Sequence, residues 1–136
     1  MKNMMLTVLM LIASFTAMAE DNLDTAAEVY FISPQDGATV TNPIRIVFGL
    51  RGMGVAPAGV DRPGTGHHHL IINSDLPALD RPIPADENHV HFGGGQTETT
   101  ITLPPGEHTL QLLLGDFIHV PHKNPVFSKK IHITVE

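Results

Sequence analysis

Nine of the 136 residues are histidine, one more than all lysines and arginines combined, and seven of the nine fall in three short clusters. These are Gly66-His67-His68-His69-Leu70, Asn88-His89-Val90-His91-Phe92 and Asp116-Phe117-Ile118-His119-Val120-Pro121-His122. Side chains two apart on an extended chain project from one face. His67 and His69 therefore point together and, where 88–92 is extended, so do His89 and His91. His119 and His122 flank Pro121, and a rigid turn there aims both rings at one point. Neutral imidazole is the commonest protein ligand of zinc, copper and nickel. One His-x-His pair supplies two nitrogens, and imidazoles from other loops complete a four-coordinate site. The candidate ligands are His67, His69 and His91, with His119 and His122 as further members. The chemistry needs neutral rings, so affinity should fall as pH drops through the histidine pKa. Asp116, Glu98, Asp86 and Glu87 are carboxylates near enough in sequence to fix imidazole tautomers.

The remaining residue types narrow the chemistry. His68 points with Leu70 and Ile72, which look like core, so its expected role is structural. His108 shares the parity of a leucine stripe and suits a hydrogen bond at the core edge, while His132 alternates outward. Whether His68, His89 and His108 bind or build stays open at this level. Met53 is expected to pack, although a thioether beside imidazoles would favour Cu(I). Gly93-Gly94-Gly95-Gln96 lacks the lysine and following helix of a phosphate loop, and is better read as backbone that turns sharply or approaches another segment closely. There is no Gly-x-Ser-x-Gly elbow. The absence of cysteine excludes a disulfide framework, a thiolate zinc site, an iron–sulfur cluster and a cysteine nucleophile. A zinc hydrolase can be drawn from His67, His69 and His91 with Glu98, but nothing requires it, and no enzymatic activity is expected.

These histidines must be held by strands. Residues 28–33, 38–40 and 44–50 alternate between turn residues; Ile44, Ile46 and Phe48 share a face. The triple histidine lies on a strand over 66–73. Residues 98–103 alternate, and 108–114 places Leu110, Leu112 and Leu114 together. Residues 126–135 close the chain with Ile131, Ile133 and Val135 in register. No stretch after residue 27 gives a convincing amphipathic helix. Eleven prolines and 12 glycines scattered between the runs agree with an all-β chain. The expected fold is an antiparallel β-sandwich of about seven strands, immunoglobulin- or fibronectin-III-like, with long His/Gly/Pro-rich loops; a small barrel is the rival. Residues 49–66 and 76–88 are the long loops, and loops of that length tend to carry function.

The first residues combine Lys2, an apolar run from Met4 to Phe15 and the small-x-small site Ala17-Met18-Ala19. This is the pattern of a signal peptide over 1–19, cleaved after Ala19, and its apolar run is short for a membrane span. Residues 20–27 read as a flexible lead-in and 28–136 as one domain. The expected location is the periplasm, with no membrane span after cleavage. A net charge of −6 disfavours a nucleic-acid partner.

Five segments together resemble the DUF4399 family of small exported bacterial domains of unknown function. They are Gly-Met-Gly-Val-Ala-Pro-Ala-Gly (52–59), Gly-His-His-His-Leu-Ile-Ile (66–72), His-Phe-Gly-Gly-Gly-Gln-Thr-Glu (91–98), Leu-Pro-Pro-Gly-Glu-His-Thr-Leu-Gln-Leu (103–112) and Gly-Asp-Phe-Ile-His-Val-Pro-His (115–122). The likeness runs from about residue 45 to the end, and its signature elements fall on His67, His69, His91, His119 and His122. It implies compartment and domain extent more than activity. The expectation from the residues is a periplasmic protein that binds copper or zinc for carriage, buffering or delivery. The alternative is a non-catalytic envelope module whose loops bind a protein partner or a polymer.

Overall fold

The computed structural model describes residues 26–136; the expected signal peptide and most of the lead-in lie outside them. Nine strands are present: β1 (Glu28–Ser33), β2 (Ala38–Val40), β3 (Ile44–Arg51), β4 (Gly54–Val55), β5 (Thr65–Ile72), β6 (His89–His91), β7 (Glu98–Ile101), β8 (Gly106–Gly115) and β9 (Ile131–Val135). The described residues contain no helix, and so none long and apolar enough to cross a membrane.

The strands form two sheets in a sandwich-like arrangement. One has the order β1-β3-β7. The other has the order β2-β9-β8-β5-β4, with β6 added to the same edge of β5 beyond β4. The expected alternation is what builds the interface between them. Ile44, Ile46 and Phe48 face inward from β3 while Arg45 faces out to Glu98. From the second sheet Leu70, Ile72, Leu110, Leu112, Leu114, Ile131, Ile133 and Val135 close the same core. Burying a large aliphatic side chain contributes about 1.5–3 kcal/mol, so this interface is the main source of stability.

Two of the nine strands, β4 and β6, were not separable in the sequence, whereas β2 stands at the expected 38–40. β2 pairs in parallel with β9, and β4 pairs in parallel with the start of β5. β4 falls inside the stretch 49–66 expected as loop. At two and three residues, β4 and β6 are too short to display a period. The strand expected over 126–135 is also interrupted. Its regular part is Ile131–Val135, and Phe127 pairs separately with Leu113. Between them the Ser128 hydroxyl accepts the Leu112 amide at 2.9 Å, replacing a backbone carbonyl.

β5 departs most from simple alternation, since Gly66 to Ile72 are buried on both faces. The cause is the segment following it. The strand ends at Ile72, one residue before the expected end, and residues 73–88, expected as loop from 76, fold over the outer face of the second sheet. There Ile71, Ile83 and Leu113 form a second small core, flanked by Leu76 and Leu79. His67 and His69 lie on this covered outer face, in line with Ile71. His68 lies on the inner face, tilted against Phe48 with ring centroids 5.1 Å apart.

Candidate metal centre

The histidine arrangement follows from strand register. β6 lies antiparallel to β5 with His91 opposite His69, and His67 is two residues back on the same face of β5. On the other side β8 places Gly115 opposite His67 and Leu113 opposite His69. The chain then turns at Asp116. Its carboxylate accepts the amides of Ile118 and Val120, both at 2.9 Å, and its own amide donates to the Val120 carbonyl at 2.8 Å. His119 sits inside this turn with φ 68°. Left-handed backbone is strained for a non-glycine residue; here it is fixed by hydrogen bonds on both sides and delivers the ring inward.

The result is a cluster of His67, His69, His91 and His119, in which one ring nitrogen from each lies within 4.8 Å of the others. His67 is central: its Nε2 is 3.1 Å from His91 Nε2 and 3.2 Å from His119 Nδ1. Four nitrogens about 2.0–2.1 Å from one ion are about 3.3 Å apart in a tetrahedron and about 4.1 Å across a plane. A movement of under about 1 Å therefore brings all four into bonding range. His122 is not part of this group. Its Nε2 donates to the Thr65 carbonyl at 2.9 Å, and its ring occupies the space that a side chain on Gly66 would need. The turn around Pro121 thus aims one imidazole at the centre and uses the other as a brace.

His67, His68 and His69 are fully enclosed, whereas His91 is exposed. Burial first, and then the nearby His91 and His119, bring the pKa of His67 down to about 4, with the Asp116 carboxylate opposing them. Burial and the same crowding by His67, His91 and His119 bring His69 to about 3. Burial and then His119 lower His91. The cluster is thus held largely as neutral imidazole, the form that ligates a metal. The sequence expectation placed loss of affinity at the ordinary histidine pKa; for His67 and His69 the structure moves it well below.

The expected carboxylate support takes other forms. Glu98 is bound to Arg45 on the outer face of the three-stranded sheet. Asp86 accepts from His89 Nδ1 at 2.7 Å, which closes the turn before β6. Asp116 shapes the His119 turn. His108 donates from Nε2 to the Pro104 carbonyl at 2.8 Å and meets Asn73 through Nδ1, a bracing role. Met53 packs against the main core.

Two residues matter here for what they lack. A Cβ on Gly93 would fall on the His91 ring, and one on Gly115 would stand 2.7 Å from His69 Cε1 and 3.3 Å from Ile83 Cδ1. The glycine run was legible as close approach, but Gly115 was not, because the His69 ring that it makes room for is 46 positions away in the chain. Gly115→Ala is expected to destabilise the protein by about 1–3 kcal/mol through overpacking and to displace His69; urea unfolding and metal titration of the variant measure the two effects separately.

The family model described as a domain of unknown function, DUF4399, matches residues 46–136. The chain belongs to that family. The matched span contains every strand from β4 to β9 and all four clustered histidines. Neither the curated proteins nor the solved structures contain a match to this DUF4399 chain.

Proposed function

We propose that this DUF4399 protein is an exported carrier or buffer for a transition metal ion. The reading rests on one observation: four imidazoles from β5, β6 and the turn after β8 converge on a point, and they come from positions up to 52 residues apart. Neutral rings that crowd one another without a carboxylate between them gain little from the arrangement unless a cation takes their lone pairs. Copper is favoured over zinc, since an all-imidazole donor set suits Cu(II) and copper heads the divalent affinity order. Carriage is favoured over turnover because the carboxylates available for acid–base work are engaged elsewhere, Glu98 with Arg45 and Asp86 with His89. We read the scaffold as immunoglobulin-like, with β1, β3 and β7 as one sheet and β5, β8 and β9 as the centre of the other. The signal sequence supports a periplasmic location.

The test is metal analysis of tag-free protein. One equivalent of copper or zinc per chain is expected, retained by His122→Ala and lost by His67→Ala and His91→Ala. A dissociation constant weaker than about 0.1 mM for both metals would sink the proposal and favour the envelope interaction module.

A further inference from the structure

We infer that the metal centre carries an open position that takes a small monovalent anion as an additional, exogenous ligand. The inference rests on the metal-binding reading above and adds a second ligand class to it.

The four histidines are not equivalent in access. His67 is fully enclosed and does not line the cleft that the other three border. His69, His91 and His119 form one wall of a cleft of about 170 Å³, and the apolar segment 82–85 (Pro-Ile-Pro-Ala) forms the opposite wall. The Ile83 amide donates to the His119 carbonyl at 2.8 Å, so the two walls are fixed to each other. An ion bound by the four donors would be held by His67 away from the cleft and by His69, His91 and His119 along it. Among its lining residues the cleft offers no polar side chain other than the imidazoles. A ligand that enters it is therefore recognised by coordination to the ion. The volume suits a ligand of a few heavy atoms and excludes a side chain delivered on a folded partner.

Charge favours an anion. Four neutral imidazoles leave the charge of a divalent ion intact. The carboxylate that acts electrostatically on the cluster is Asp116, and its Oδ1 is already committed to two backbone amides. One net positive charge then remains beside a wall of proline, isoleucine and alanine, where a lone charge is poorly solvated. A monovalent anion bound to the ion neutralises it without adding a second buried charge. Cu(II) beside four nitrogens favours tetragonal geometry and accepts a further ligand, whereas a four-imidazole zinc site would be closed.

Azide is the probe. Copper(II)-loaded protein titrated with sodium azide is expected to develop an azide-to-copper charge-transfer absorption that saturates at one azide per copper. Equilibrium dialysis should show that the copper stays bound. Ala85→Trp, a substitution at an exposed position of the cleft wall, should weaken azide binding at least tenfold while copper affinity changes by less than about threefold. Loaded protein whose spectrum is unchanged up to about 100 mM azide, or an azide response unaltered in Ala85→Trp, overturns the inference while leaving the metal site standing. Failure to load copper in the first step removes both.

Discussion

Adding copper or zinc should raise the melting temperature of this protein by about 15 °C or more when free metal is a thousandfold above its dissociation constant. At that ratio an ion that binds only the folded chain contributes about 4 kcal/mol, and a domain of this size shifts by about 4 °C or more per kcal/mol. The site does not exist in the unfolded chain, because β5, β6 and the Asp116–Val120 turn come together only in the fold. His67→Ala should abolish the shift, since it removes the nitrogen that lies 3.1 and 3.2 Å from two of the others. It should also lower the starting melting temperature, because the ring is fully enclosed and its loss leaves a cavity. His122→Ala supplies the contrast. It loses the bond to the Thr65 carbonyl and so starts from a lower melting temperature, but it should keep the full metal-induced increment. Scanning calorimetry with and without metal separates the starting melting temperature from the metal-induced increment. An increment that is equal in wild type and His67→Ala means that metal acts away from the cluster.

The contrast between His67 and His122 also shows how far the sequence could be read. Period-2 parity was enough to put His67 and His69 on one face and His68 on the other, because β5 is eight residues long and regular. It was not enough to say what that outer face meets. The answer lies in residues 73–88, whose Leu76, Leu79 and Ile83 carry no period and are positioned by tertiary contact alone. The pairing of His69 with His91 depends on the register of a three-residue strand, which no local pattern specifies. His119 and His122 are the clearest case. Both flank Pro121 and both were candidates, and the difference between them is the left-handed backbone at His119, set by the Asp116 carboxylate and the amides of Ile118 and Val120. An aspartate two residues ahead of the amide it caps is a legible turn signal, but the direction in which the following ring leaves the turn is not.

Acid should unfold the metal-free protein, and the three adjacent histidines should account for most of the loss. His67 and His68 have pKa values near 4 and His69 near 3 in the fold, in each case first because burial opposes the charged ring. In the unfolded chain an imidazole titrates near about 6.5. Between these values the unfolded state binds protons that the native state does not, so stability falls as pH decreases. It is fully present above about pH 6.5 and declines by about 1.4 kcal/mol per pH unit per ring. At pH 5 the three rings together remove about 6 kcal/mol, comparable with the whole stability of a typical domain. Urea midpoints measured from pH 7.5 to 4.5 give the slope, and a flat profile across that range would contradict the buried, neutral state. His68 separates core from site within this experiment. Neither of its ring nitrogens has a protein hydrogen-bond partner, and the Gln96 backbone is near enough to offset only part of the burial effect. An unpaired buried polar group costs about 1–3 kcal/mol. His68→Leu should therefore stabilise the protein by about that amount at pH 7, reduce the acid slope by one proton, and leave metal binding intact, because the ring faces Phe48 in the main core and not the cluster. His69→Leu should flatten the slope in the same way and abolish metal binding, so the pair of variants assigns each ring of the triplet to one side of the sheet.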